Sequence, residues 1–186
     1  MTARRLGEGE RLLRAGKWKG WGPVQMLGTH VTGKRVGIIG FGRIGKAIAR
    51  RCHYGFDMEV VFTNRSKVED PGLPARQVEA THHLINANTL AQMKPTGIFV
   101  NISRGDVVDE AALIDTLQAG RIAGAGLDVY ELEPQVPVAL MGLENVTLLP
   151  HLGTACLEVR IGMGLMAVAN LIAFAEGKTP PNLLNP

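Results

Sequence analysis

The sequence has few aromatic residues and few cysteines, and each shortage excludes a class of protein. Phenylalanine, tyrosine and tryptophan make up 5% of the 186 residues, so the basic side chains lack the clustered rings on which single-stranded nucleic acid stacks. The formal net charge of +3 is too small to indicate nucleic-acid binding by itself. Cys52 and Cys156 are too few for a disulfide framework. No metal site and no nucleic-acid partner are predicted.

Long apolar runs and a leader segment are also missing. The most apolar stretch, residues 161–175, has 15 residues and contains Asn170, whereas a bilayer span needs about 20 apolar residues. It is therefore predicted to be a buried core helix. Arg4 and Arg5 stand near the start, but no apolar run follows them, so no signal peptide is predicted. We expect a soluble, cytoplasmic protein with no membrane partner.

The composition that remains is that of a globular domain with an aliphatic core. Hydrophobic residues make up 46% and charged residues 20%, with 23 glycines, which suits parallel strands buried on both faces. Strand-like runs alternate with helical segments, and this predicts an α/β fold with a doubly wound parallel sheet, the Rossmann arrangement. The predicted strands are residues 34–39, 59–63, 98–102, 123–127 and 146–149, and the predicted helices are 3–15, 43–51, 109–119 and 154–176.

A glycine-rich turn follows the first predicted strand and opens a helix, with the sequence Gly40-Phe41-Gly42-Arg43-Ile44-Gly45. This is the context that a dinucleotide-binding turn requires. Gly40 permits the tight turn, Gly42 lets the backbone approach a pyrophosphate, and Gly45 lets helix and strand pack closely. The N–H groups of Arg43 and Ile44 would point at the phosphates from the helix N-terminus. The alternative is a glycine-rich turn without a ligand.

These signals predict three parts of the chain. Residues 1–33 are expected to form a helical arm and connector, residues 34–176 a dinucleotide-binding domain, and residues 177–186 a C-terminal tail.

The end of the second predicted strand indicates which dinucleotide binds. Sites that prefer NAD place an acid there, about 20 residues past the glycines, to bind the ribose hydroxyls. This strand ends instead in Asn64-Arg65-Ser66, and Asp57 lies before the strand, at its wrong end. Asparagine, arginine and serine can donate to a 2′-phosphate, and a cation favours that dianion. NADP(H) is therefore predicted over NAD(H), which stays possible. The alternative is that Arg65 is a solvated loop charge.

Four blocks in order, at residues 37–45, 101–110, 123–134 and 149–153, carry a family resemblance. Together they resemble the D-isomer-specific 2-hydroxyacid dehydrogenases, and within them the glyoxylate/hydroxypyruvate reductase branch. The resemblance implies reduction of a small 2-oxo acid, glyoxylate or hydroxypyruvate, by hydride transfer from NADP(H), in a homodimer.

The resemblance also implies the site residues. Arg104 would be the catalytic arginine that holds the substrate carboxylate, and His151 with Glu133 would form the proton relay. These residue types suit the chemistry, because arginine is permanently charged and imidazole titrates near neutrality. Ser103, Asp128 and Gly153 are expected on the cofactor. Each residue has a structural alternative: Arg104 as a loop cap, Glu133 as a surface acid and His151 as a core histidine.

The sequence departs from the family pattern in two places. Most of the N-terminal substrate-binding domain of the family is expected to be absent from this chain. In addition, the stretch between Ala75 and His83 is too short for the helix and strand that the family carries there. We therefore expect one edge strand of the sheet to be lost and the second strand to become a new edge, open to association.

Three functions remain open from the sequence. The first is an NADP(H)-dependent 2-oxoacid reductase, or the cofactor-binding half of one. The second is a truncated, non-catalytic dinucleotide-binding module. The third is a corepressor-like scaffold of the same fold.

Overall fold

The computed structural model describes residues 1–78 and 85–183. The chain divides into two compact units, Met1–Leu148 and Leu149–Pro186. The helices are α1 (Leu6–Arg14), α2 (Arg43–Phe56), α3 (Ala87–Leu90), α4 (Glu110–Gln118), α5 (Val138–Met141) and α6 (Leu157–Ala175), and the strands are β1 (Arg35–Ile39), β2 (Glu59–Thr63), β3 (Ala75–Gln77), β4 (Ile98–Asn101), β5 (Gly124–Leu127) and β6 (Val146–Leu148). Short 3₁₀ turns lie at Thr2–Arg4 and Gly105–Val107.

Among the described residues of the first unit, six parallel strands form two sheets. One sheet has the order β1-β2-β3 and the other has the order β4-β5-β6. All four pairings are parallel, with Ile39 opposite Thr63 in the first sheet and Asn101 opposite Leu127 in the second. Read from β3, these are the two halves of the 3-2-1-4-5-6 order of a doubly wound fold. The predicted Rossmann-type α/β fold is confirmed.

The sequence predicted that the strand beside β2 is lost, and this prediction is wrong. Residues 75–77 form β3 beside β2, and the Val78 N–H donates to the Phe62 carbonyl at 2.8 Å, so β2 is an interior strand and no new edge. Among the described residues the interruption falls instead in the middle, because no ladder hydrogen bond joins β1 to β4. Ile39 and Val100 are accordingly 52% and 60% exposed. The stretch ending at His83 lies partly outside the described residues.

Two apolar cores support the two sheets. The larger surrounds β4, β5 and α4, and the smaller lies between α2 and the first sheet. In the smaller core the rings of Phe41 and Phe62 stack with centroids 3.8 Å apart. Phe41 follows Gly40 directly, so this stacking holds the glycine turn onto β2. Burial of an aromatic side chain of this size stabilises the fold by about 1.5–3 kcal/mol.

The N-terminal arm is fastened to the second sheet. The Thr2 hydroxyl oxygen lies within hydrogen-bond distance of the Ala125 carbonyl, at 3.2 Å, and of the Thr147 hydroxyl, at 2.9 Å, and Arg11 of α1 forms an ion pair with Glu144. A Cβ at Gly124 would lie 3.1 Å from the Thr2 side chain. The glycines of β5 thus leave room for the arm. The predicted limits of the arm, domain and tail remain predictions.

The second unit consists of a loop and one long helix, α6. The sequence predicted this apolar segment to be a buried core helix, and that expectation is wrong, because none of its residues is buried. By length and mean hydropathy of 1.6, α6 is also long and apolar enough to cross a bilayer. A single helix of this kind is weak support for a membrane span, since the helices of soluble proteins pass the same test.

Candidate dinucleotide and substrate site

The glycine turn lies where β1 ends and α2 begins. Gly40 has φ of 88°, a left-handed conformation that favours glycine. Its N–H donates to the Thr63 carbonyl at 3.0 Å, and the next N–H, of Phe41, donates to Asn64 Oδ1 at 3.2 Å. A Cβ at Gly45 would lie 2.1 Å from the Gly40 carbonyl oxygen. The turn is therefore closed by contacts that exclude side chains, as the sequence predicted.

The N-terminus of α2 has the features of an anion site. Gly42 is its N-cap and supplies no side-chain cap, and the first turn contains no acidic residue. Space in front of the turn is open, since a Cβ built on Gly42 meets nothing within 4 Å. Arg43 and Ile44 are both exposed here. A 14-residue helix with an uncapped, positive N-terminus fits a pyrophosphate, so the residues present fit a dinucleotide.

The loop after β2 carries the three residues predicted to select NADP(H). Asn64 Nδ2 donates to the Ser66 carbonyl at 3.2 Å, and its Oδ1 accepts the Phe41 N–H. The exposed Arg65 makes no hydrogen bond or ion pair with any described residue. Asn64 thus bonds to the protein backbone, whereas the Arg65 side chain is exposed. Asp57 ends α2 before β2 begins, at the opposite end of the strand.

One buried hydroxyl at this end of β2 has no hydrogen-bond partner among the described residues. Thr63 Oγ1 is inaccessible to solvent and makes no hydrogen bond, although the Thr63 carbonyl accepts the Gly40 N–H. An unsatisfied buried hydroxyl costs about 1–3 kcal/mol. It lies one residue before Asn64, in the part of the fold that fits the dinucleotide.

The loop after β4 presents Arg104 and is organised by Asn101. Asn101 is buried, and its Nδ2 donates to the Arg104 carbonyl at 2.9 Å. The Ser103 N–H and hydroxyl both donate to Asn101 Oδ1, at 3.0 and 2.9 Å. Arg104 is exposed, and one of its N–H groups donates to the Ser103 carbonyl at 2.7 Å. Sequence reasoning missed Asn101, and its signal is a polar residue ending an apolar strand.

The loops after β4 and β5 meet at Tyr130. A Cβ at Gly105 would lie 1.9 Å from the Tyr130 carbonyl carbon, so only glycine permits this approach. The Tyr130 N–H donates to Glu133 Oε1 at 3.1 Å. Asp128 is buried between these loops, and its N–H donates to the Asn101 carbonyl at 3.0 Å. The structure therefore gathers the predicted Ser103, Arg104, Asp128 and Glu133 at the carboxyl ends of two neighbouring strands.

Glu110 lies beside this group of loops. The Glu131 N–H approaches Glu110 Oε1 at 3.4 Å. Partial burial raises the pKa of the Glu110 carboxyl from its ordinary value of 4.5, the hydrogen bond from Glu131 opposes that effect, and the charge of Glu131 adds to it. The sequence analysis did not identify Glu110 as a carboxyl beside these loops.

His151 and Gly153 belong to the second unit, Leu149–Pro186. Both are exposed, and His151 has φ of 54°, a left-handed conformation that is uncommon for residues other than glycine. Such backbone strain is concentrated at functional sites. The predicted relay between His151 and Glu133 stays a prediction, as do the cofactor contacts.

The family of the chain follows from its match to one protein-family model. The model described as the NAD binding domain of D-isomer specific 2-hydroxyacid dehydrogenases matches residues 1–79 and 73–153. The chain belongs to this family. The resemblance stated from the four sequence blocks is thus confirmed.

Individual relatives carry related activities in their names. The chain is 43% identical over 209 positions to a glyoxylate reductase of Thermococcus onnurineus, an alignment that covers 99% of the chain and 62% of the relative. It is 41% identical over 207 positions to a glyoxylate/hydroxypyruvate reductase B of Shigella boydii, covering 100% of the chain and 64% of the relative. Among solved structures, the NADPH-dependent glyoxylate/hydroxypyruvate reductase of Sinorhizobium meliloti in complex with NADP and malonate matches with a TM-score of 0.79 and 37% identity, covering 93% of the chain and 60% of that protein.

These alignments also record a difference in length within the matched region. The chain spans less than two thirds of the Thermococcus relative, at 62%. The alignment has 209 positions, whereas the chain has 186 residues. The difference is 23, so at least 23 positions of the relative are aligned with a gap in this chain. The two matches to the family model overlap at residues 73–79, which agrees with the interruption expected between Ala75 and His83.

Proposed function

We propose that this chain is the cofactor-binding and catalytic part of an NADP(H)-dependent reductase of small 2-oxo acids, with glyoxylate or hydroxypyruvate as substrate. The observation that carries the proposal is the meeting of the Arg104 loop and the Glu133 loop at Tyr130. This meeting lies at the carboxyl ends of parallel strands, where α/β proteins bind their ligands. The names of the family's relatives support the substrate class.

The chemistry divides among few groups. When bound, the nicotinamide supplies the hydride. Arg104 uses one N–H group on the Ser103 carbonyl, which leaves other donors of its planar fork for a substrate carboxylate and the adjacent keto oxygen. His151 would donate the proton that the reduced oxygen takes up, and a carboxylate such as Glu133 would orient and stabilise the imidazolium.

The choice of NADP(H) rests on charge at the end of β2. The loop there offers the exposed Arg65 and Ser66, with Asn64 before them, and residues 64–66 include no acid that would repel a 2′-phosphate. The fit of the α2 N-terminus to a pyrophosphate supports the same pose. The NADP complex of the Sinorhizobium relative supports this cofactor over NAD(H).

A homodimer in the cytoplasm is the expected state of the protein. Trp18 and Trp21 in the connector are 51% and 84% exposed, which supports a contact between copies, because tryptophan is enriched at protein–protein interfaces. Light scattering of the purified chain would test the dimer, and a monomer at micromolar concentration would contradict it.

The decisive experiment pairs cofactor binding with turnover. NADPH and NADH are titrated calorimetrically, and NADPH oxidation is then followed with glyoxylate and with hydroxypyruvate. We expect tighter binding of NADPH and measurable oxidation. His151→Ala is expected to abolish turnover while keeping the thermal shift by NADPH, and Arg65→Ala is expected to weaken NADPH but not NADH. Loss of both turnover and thermal shift in the first variant would make His151 structural.

A second candidate function follows from the interrupted sheet. Without ladder hydrogen bonds between β1 and β4 among the described residues, the two halves of the site lack their usual rigid connection, and hydride transfer depends on that alignment. The candidate is a dinucleotide-binding module without turnover. NADPH binding with no oxidation of either substrate would favour it.

A further inference from the structure

The side chain of Gln77, at the end of β3, forms hydrogen bonds to the backbone of the loop that follows β2. Its Oε1 accepts the Val68 N–H at 2.9 Å, and its Nε2 donates to the Ser66 carbonyl at 3.0 Å. Both polar atoms of the amide are therefore used on one short segment, residues 64–68. We refer to this segment as the 64–68 loop.

The same loop is held at its start by Asn64. The Asn64 amide accepts the Phe41 N–H and donates to the Ser66 carbonyl. The Ser66 carbonyl thus accepts two hydrogen bonds, one from Asn64 and one from Gln77, at 3.2 and 3.0 Å. The backbone on both sides of Arg65 is fixed, while the Arg65 side chain stays exposed.

Arg65 is an exposed cation of the 64–68 loop. Lys67, two residues on, is paired with Glu69 at 2.9 Å, and Lys46 of α2 donates to the Asp70 carbonyl at 3.0 Å. Arg65 has no such partner among the described residues. An arginine discriminates a phosphate when its donors are held in place beforehand, because the long side chain otherwise loses rotamer freedom on binding.

We propose that Gln77 is a positioning residue for cofactor specificity, which fixes the 64–68 loop so that Arg65 and Ser66 meet the 2′-phosphate of NADP(H). This inference rests on the proposed function and names a residue that the sequence gave no reason to select. Among the described residues, the hydrogen bonds of the Gln77 side chain go to the backbone of this loop.

The test measures binding of fragments, which needs no turnover. The probes are 2′,5′-ADP and 5′-ADP, which differ by the 2′-phosphate, together with NADPH and NADH, all titrated calorimetrically. The variants are Gln77→Ala and Gln77→Met, of which the second keeps the volume and removes both hydrogen bonds. Gln92→Ala, at an exposed glutamine after α3, is the matched control.

We expect both Gln77 variants to weaken 2′,5′-ADP and NADPH about tenfold and 5′-ADP and NADH less than about twofold, where tenfold corresponds to ~1.4 kcal/mol. The control is expected to match the wild type. Equal weakening of all four probes, or no change in the Gln77→Met variant, would overturn the inference, because a purely structural role affects both cofactors alike. A wild type with no preference for 2′,5′-ADP would instead overturn the NADP(H) assignment, and the role of Gln77 with it.

Discussion

The Phe41 N–H donates to Asn64 Oδ1 across 3.2 Å, so the glycine turn and the end of β2 are held as one piece. The sequence placed Asn64 among the groups that bind cofactor directly, whereas here its oxygen serves the turn itself. Its amide nitrogen serves Ser66. Asn64 therefore supports both the pyrophosphate side and the ribose side of the proposed site.

Replacing Asn64 is expected to weaken both cofactors together. Asn64→Ala removes the acceptor for Phe41, and loss of one such hydrogen bond costs about 0.5–1.5 kcal/mol. We expect NADH and NADPH to lose affinity by a similar factor, about fivefold, as measured by calorimetric titration. This pattern differs from that of Gln77 variants. A loss confined to NADPH would mean that Asn64 acts through the 64–68 loop or on the 2′-phosphate, and not through the glycine turn.

Alanine substitutions at two glycines of the turn are expected to have different effects, one on stability and the other on dinucleotide affinity. A Cβ at Gly45 meets the Gly40 carbonyl oxygen at 2.1 Å, whereas a Cβ at Gly42 meets nothing within 4 Å. Gly45→Ala is therefore expected to lower the free energy of unfolding by about 1–3 kcal/mol. Gly42→Ala is expected to keep the fold and lose dinucleotide affinity, since its methyl group would occupy the open space before α2.

Urea unfolding and NADPH titration of both glycine variants check these expectations. Gly162→Ala on α6, where a Cβ also meets nothing within 4 Å, is the control for both measurements. A folded Gly42→Ala variant that binds NADPH as tightly as the wild type would show that the pyrophosphate lies elsewhere.

The Thr63 hydroxyl is expected to be dispensable for stability. Because Oγ1 is buried and no described residue bonds to it, Thr63→Val replaces an unsatisfied polar atom by a methyl group of similar size. We expect a gain of about 1 kcal/mol in the free energy of unfolding, measured in urea. Thr116→Val, at another buried threonine, serves as the comparison. A loss of stability at position 63 would show that the hydroxyl has a partner in solution.

Glu110 is expected to make stability depend on pH. Its pKa in the folded protein is raised above the ordinary 4.5, so the folded state binds a proton more tightly than the unfolded state. The favourable contribution of the protonated form is present below about pH 4.5 and is lost as the pH rises through the folded pKa. We expect Glu110→Gln to raise Tm more at pH 7 than at pH 4.

The control for Glu110 is Asp115→Asn, at an exposed acid on the same helix. Its effect on Tm is expected to differ little between the two pH values. A Glu110→Gln effect that is equal at both pH values would contradict the raised pKa.

The sequence predicted most of the regular structure because the apolar runs are bounded clearly. Strand β2 begins and ends at the predicted residues, and α4 differs by one residue at each end. Strand β3 was missed because three residues, including the polar Arg76 and Gln77, are too few to show alternation. Its position is fixed by pairing with β2, which only tertiary structure reveals.

The exposure of α6 could not be predicted from the sequence. Hydropathy shows that a helix is apolar enough to be buried, but it does not show whether another part of the protein packs against it. Within the site, Arg104 and Glu133 were named through the family resemblance of their sequence blocks. Asn101 and Gln77 were not, because an amide that bonds to a backbone loop leaves no spacing signature. Their roles depend on which atoms the fold brings within hydrogen-bond distance.

The break between the two sheets changes which strands are best protected from solvent. In an unbroken 3-2-1-4-5-6 sheet, β1 and β4 lie side by side at the centre. Here each has a ladder partner on one side only among the described residues, so half of their peptide groups face outward. Amide protons that are normally the last to exchange with deuterium would then be among the first, because β1 and β4 behave as edge strands.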